Sequence, residues 1–225
     1  MSTNGQVARK IADVARALAS ERKERLDQLK AENADCSRPD FIWHYLLQSF
    51  ATMGGSAGWA GLIGNKTNYA KVAYDVLERL EPGDRKREVL TVCRCAKLRW
   101  PERKAAFIVS AFETIRELGG FSAANKRIFD ARGREAKMRF LKSFKGIGPK
   151  YARNMMMDVY DDDFRSSIAI DSRIKKLSER WGLSFASYEE HERFYLGVAT
   201  DAGINGWELD RLLYNFHDEF VARVR

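Results

Sequence analysis

Val7, Ile11, Val14, Leu18, Leu26 and Leu29 recur at helical spacing with charge on the opposite face, which predicts one long helix over residues 6–33. Ser37-Arg-Pro-Asp40 follows as a breaker and cap cluster. Residues 41–53 are apolar almost all round, with Phe41, Ile42, Trp43, Leu46, Leu47 and Phe50, and predict a buried helix running into a glycine-rich turn at Gly54-Gly55-Ser-Ala-Gly58. Further helices are predicted over 66–80 (closed by Pro82-Gly83-Asp84), 85–98, 103–118 (closed by Gly119-Gly120), 129–144, 184–203 and 207–224. Asp171 stands just before the periodic run Ile174, Leu177, Trp181 and fits a helix N-cap. Proline and glycine fall at the junctions, and no alternating run suggests a strand pair, although Ile168-Ala-Ile170 is briefly extended. The pattern predicts an all-α protein with short connections.

Chemistry concentrates between Phe140 and Met156. A helix with Met138, Leu141 and Phe144 on one side stops at Gly146; Ile147 and Gly148 follow, and Pro149 opens the next helix, where its missing N–H is no loss. Glycines there allow a sharp turn with bare backbone amides, and with the positive end of the second helix they make an anion site. Residues 131–153 hold eight basic side chains against one acid, Glu135. Lys145, Gly146, Gly148 and Arg153 are therefore candidate contacts to a nucleic-acid backbone. Gln48, beside the glycine-rich turn, is a further candidate, because small residues let a backbone approach a ligand. From these residues alone the hairpin fits a passive DNA clamp as well as part of an enzyme, and Asp171 fits a plain cap as well as a reacting group.

Composition narrows the setting. The 225 residues, 45% hydrophobic, allow one domain or two small lobes, and a formal charge of +8 favours a polyanionic partner. Cys36, Cys93 and Cys95 form no framework and no metal-ligand pattern, so they read as ordinary thiols in a reducing compartment, with no metal expected. No stretch is apolar enough to span a membrane, and none reads as a signal peptide.

The glycine turn with Lys150 behind it, the start Arg103-Lys-Ala-Ala-Phe-Ile108 upstream, and Asp171 about twenty residues downstream together resemble the helix-hairpin-helix-Gly-Pro-Asp superfamily of DNA glycosylases. The likeness spans about 41–216, with its specific part between Phe140 and Leu177. Among its members the small archaeal and bacterial 8-oxoguanine enzymes look nearest. The resemblance implies two helical lobes, 41–160 with the hairpin at about 136–158, and 1–40 plus 161–225, with an active site in the cleft between them. It implies a glycosylase with AP lyase activity that removes an oxidised purine, 8-oxoguanine first. Lys150 would be the nucleophile and Asp171 the second catalytic residue. A flipped purine would need pocket walls, for which Asn154, Met157, Trp207, Asp210 and Phe216 are the candidates, and Gln48, Phe50 or Met53 would fill the hole in the stack. Two departures stand out: Arg173 replaces a histidine frequent in the family, and no cysteine follows Cys95, which rules out the iron–sulfur cluster of the endonuclease III branch. No cofactor is expected. The partner would be double-stranded DNA with a damaged base, met by an intracellular monomer in the cytoplasm or nucleoid, or in the nucleus of a eukaryote. A monofunctional glycosylase for alkylated or mismatched bases, with Asp171 activating water, and a non-catalytic DNA-binding module are the alternatives.

Overall fold

Helix formation follows the apolar periodicity closely, and its interruptions have identifiable tertiary causes. A computed structural model describes residues 3–32 and 38–224; Asn33, Cys36, Ser37 and the expectations attached to them lie outside the described residues. Helices make up 74% of the chain and no strand occurs among the described residues, as expected of an all-α fold. In chain order the helices are α1 (Thr3–Glu21), α2 (Lys23–Glu32), α3 (Phe41–Thr52), α4 (Ala57–Leu62), α5 (Lys66–Lys71), α6 (Tyr74–Glu78), α7 (Pro82–Cys95), α8 (Pro101–Glu117), α9 (Phe121–Asp130), α10 (Arg134–Lys142), α11 (Pro149–Met157), α12 (Ser172–Arg180), α13 (Tyr188–Ala202), α14 (Gly206–Asn215) and α15 (His217–Arg223). A short 3-10 turn, Asp162–Phe164, precedes α12.

Several expected single helices are pairs. The first breaks at Arg22, between α1 and α2. The helix expected over 66–80 breaks at Val72-Ala73, where the buried Val72 carbonyl accepts the Trp43 indole N–H at 2.9 Å instead of continuing the helical ladder. Gly133, at φ +77, separates α9 from α10 in the stretch expected as 129–144. Phe216, at φ −122, separates α14 from α15. Pro82 opens α7 rather than closing the helix before it, and Pro101 likewise begins α8, both at first-turn positions where proline fits. The glycine-rich turn after α3 holds α4 from Ala57 onward, because Gly58 and Gly61 lie against the Ala51 and Ala96 carbonyls, where a Cβ would come within 2.2 and 2.1 Å.

The chain forms two compact units, residues 36–148 and residues 1–35 with 149–225. The division falls inside the glycine turn rather than at residue 160. Helix α11 belongs with the later residues because its Met157 carbonyl accepts the Trp207 indole N–H at 2.7 Å and its Arg153 pairs with Glu192. In unit 36–148, α3 packs on α4, α8 and α9, and α7 runs against α8. In the other unit, Ile11, Ala15 and Leu18 of α1 meet Tyr195 and Val198 of α13, Leu209, Leu212 and Leu213 of α14, and Ile174 and Leu177 of α12 in one core.

Candidate active site

Asp171 is placed by purely local physics. It is the N-cap of α12, with φ −105 and ψ −174, and one carboxylate oxygen accepts the Arg173 amide at 2.9 Å and the Ile174 amide at 3.0 Å. Those bonds fix the side chain, leaving the second oxygen for other work, and the amino end of α12 favours its negative charge.

The segment leading into Asp171 is held by side chains. Residues 168–170 lie outside the helices and are buried, so their amides need partners other than a helical ladder. Ile168 N–H donates to Glu192 Oε1 at 3.1 Å, Ala169 N–H to Asp210 Oδ1 at 2.9 Å, and Ile170 N–H to Tyr188 Oη at 2.8 Å. The Tyr188 hydroxyl in turn donates to the Ile168 carbonyl at 3.2 Å. Every donor before Asp171 is thus tied to α13 or α14.

Lys150 is the second residue of α11. It is half-buried, and its amine makes no hydrogen bond or ion pair with a described residue; the Tyr151 ring lies 4.1 Å from Nζ to the centroid. Burial holds its pKa below the usual lysine value. The negative charges of Asp171, Asp158 and Asp210 oppose that shift, and Arg211 assists it. These five groups, all in the unit built from both ends of the chain, are within electrostatic reach of one another. Arg211 links two of the acids, donating to Asp158 at 2.9 Å and to Asp210 at 3.4 Å, and its Nε is buried without a partner among the described residues.

The turn before α11 carries Gly146 at φ +92, where a Cβ would meet Phe107 ring carbons at 2.6 Å, so glycine is required there twice over. The Gly146 and Gly148 amides donate to no described residue, and Lys145 is exposed. Arg132, Arg139 and Lys142 are exposed as well.

Four of the candidate residues are buried. Arg153 donates from Nε to Glu192 at 2.8 Å and from Nη1 to the Pro149 carbonyl at 3.2 Å, and lies over the Tyr188 ring, so its guanidinium is engaged within the protein. Trp207 and Met157 are fully enclosed and bonded to each other, the Trp207 indole N–H donating to the Met157 carbonyl. Asp210 is enclosed too, with its carboxylate engaged by the Ala169 amide and Arg211. Burial raises the pKa of Asp210 to about 6, with Arg211 and the Ala169 amide opposing. Asn154 is half-buried on α11. Phe216, half-buried, packs against the core with the Arg22 guanidinium 5.3 Å from its ring centroid. Gln48 is half-buried on α3 in the other unit. What the sequence did not single out is the tether of 168–170 through Glu192, Tyr188 and Asp210. Its only sequence signal was a buried extended triplet with no strand partner.

The chain shares its fold with solved 8-oxoguanine DNA glycosylases. Among solved structures, the 8-oxoguanine DNA glycosylase of Thermotoga maritima superposes with a TM-score of 0.68 at 16% identity, covering 97% of this chain and 98% of that one. The 8-oxoguanine DNA glycosylase of Methanocaldococcus jannaschii gives 0.70 at 15% identity over 96% and 97%. A Methanocaldococcus jannaschii 8-oxoguanine glycosylase/lyase in complex with a 15mer DNA containing 8-oxoguanine gives 0.69 at 15% over 92% and 96%. No protein-family model and no curated protein sequence matches the chain.

Proposed function

We propose that the chain is a bifunctional DNA glycosylase and AP lyase that removes an oxidised purine, 8-oxoguanine foremost, from double-stranded DNA. The observation that carries this reading is the state of Lys150: a half-buried amine with no ion pair among the described residues, its pKa lowered by burial, in one unit with a carboxylate fixed at a helix cap. A lysine that bound phosphate only would gain nothing from desolvation, whereas a nucleophile needs its neutral form. The amine attacks the sugar C1′ as the base departs, and the resulting Schiff base allows elimination of the 3′ phosphate. Asp171, fixed at its cap, stabilises the positive charge that builds on the sugar. The target nucleotide is flipped out of the duplex, at a cost of about a few kcal/mol that is smallest for a damaged base. The Gly146 and Gly148 amides with Lys145 bind a backbone phosphate beside the lesion.

Borohydride trapping on duplexes carrying single lesions is the test. Wild-type protein should form a covalent adduct with the 8-oxoguanine duplex, Lys150→Gln should form none, and Asp171→Asn should slow adduct formation by about 100-fold or more. Base release without strand cleavage, unchanged in Lys150→Gln, would replace this reading with hydrolysis by an Asp171-activated water.

A further inference from the structure

Asp210 is the most enclosed carboxylate near Lys150, and the reaction just described gives it no part. It pairs with Arg211 beside it on α14, and its charge acts on Lys150 of α11, Asp158 just after α11, Asp171 at the head of α12 and Tyr188 at the start of α13. One oxygen accepts the Ala169 amide, two residues before Asp171; the other meets Arg211, which also binds Asp158. A buried carboxylate in this place does two things at once. It pins the peptide that carries Asp171. It also sets a negative charge close to the amine that must lose a proton before it attacks and carry a positive charge afterwards.

We propose that Asp210 is a positioning residue for the reaction: it fixes Asp171 through the Ala169 amide and governs the proton on Lys150 through its charge. The inference rests on the glycosylase/lyase reading for its role in catalysis, although the effect on Lys150 can be measured without substrate. Burial favours the neutral amine, which is a good nucleophile, but it disfavours the cationic Schiff base that follows. The nearby carboxylate offsets part of that burial, so the same nitrogen serves both steps. The balance is acid-sensitive, since Asp210 itself takes up a proton near pH 6. Below that pH both the charge and the pull on Arg211 are lost.

Asp210→Asn separates the two roles, because an amide oxygen still accepts from Ala169 but carries no charge. Competitive acetylation, read at the Lys150 peptide by mass spectrometry as a function of pH, reports the proton on that one amine with no DNA present. The Lys150 midpoint should fall by half a pH unit or more in Asp210→Asn. An unmoved midpoint would reduce Asp210 to a structural residue and overturn the proposal. With the 8-oxoguanine duplex, the acid limb of borohydride trapping should move to lower pH in the same variant while its rate on the plateau drops. Equal loss at every pH would also count against it. Asp210→Ala should show the same midpoint shift together with a lower melting temperature, since the Ala169 amide is left bare. If wild-type protein traps no lesion, the functional reading fails by itself, and the acetylation midpoint still decides whether Asp210 controls Lys150.

Discussion

Lys150 and Lys104 both have lowered pKa values, and accessibility separates them. Lys104 on α8 is 1% exposed and donates to the Ala51 carbonyl at 3.3 Å, at the carboxyl end of α3. Burial lowers its pKa to about 8; Cys93 opposes and Arg99 assists the shift. No DNA sugar reaches an enclosed amine, so Lys104→Met should keep the borohydride adduct that Lys150→Gln loses. Its influence is on stability. The unfolded chain binds this proton below about 10.5 and the folded one only below about 8, so folding stability should rise with pH between those values. The thiol of the buried Cys93, pushed up to about 12, works in the opposite sense from about pH 9 upward. Below about pH 9 the thiol stays protonated in both states, so there the comparison of wild type with Lys104→Met reads the lysine: the variant should melt higher at pH 7, and the gap should narrow as pH rises from about 8 toward 9. A gap that does not change with pH would refute the assignment. Gly146 makes a second residue-scale case. Gly146→Ala places a Cβ at φ +92 against the Phe107 ring and should cost about 1–3 kcal/mol, read as a fall in denaturation midpoint.

Among the elements, α11 best divides what the sequence revealed from what it hid. Its proline start, its glycine turn and the N-cap role of Asp171 on α12 are local, and local physics made them legible. The partner of Arg153 was not, because Glu192 lies 39 residues away and only the fold brings it near. An arginine in a basic hairpin therefore read as a DNA contact. The break at Val72-Ala73 was hidden in the same way, since its cause is an indole 29 residues upstream. The consequence is measurable. Arg153→Ala leaves the buried Glu192 carboxylate without its arginine and should cost about 3–5 kcal/mol in stability, while the salt dependence of DNA binding per folded molecule stays as it was. Lys142→Ala with Lys145→Ala, both exposed on the hairpin, should leave stability within about 0.5 kcal/mol and lower the slope of log K against log salt by about 2. The opposite pattern, with Arg153 governing the slope, would restore it as a backbone contact.

At the scale of the whole molecule, the chain's course decides which parts can stand alone. Residues 36–148 are one unbroken stretch with their own core around Trp43, Phe50, Ile108 and Phe112, whereas the other unit is assembled from both ends of the chain. Helix α1 contributes Ile11, Ala15 and Leu18 to that second core, so residues 149–225 alone would expose the faces of α13 and α14 that those side chains cover. A fragment 36–148 should therefore fold with a cooperative thermal transition, and 149–225 should not until 1–35 is supplied in trans, as followed by circular dichroism. The cut falls between the amides of the glycine turn and the amine. The fragment keeps Gly146, Gly148 and the exposed Arg132, Arg139, Lys142 and Lys145, and it lacks Lys150. It should bind duplex DNA with marked salt dependence, show no preference for a lesion and trap no adduct. Lesion preference in the fragment would mean that recognition of the damaged base needs nothing from α11 or α14, and the placement of the reacting groups proposed above would have to be abandoned.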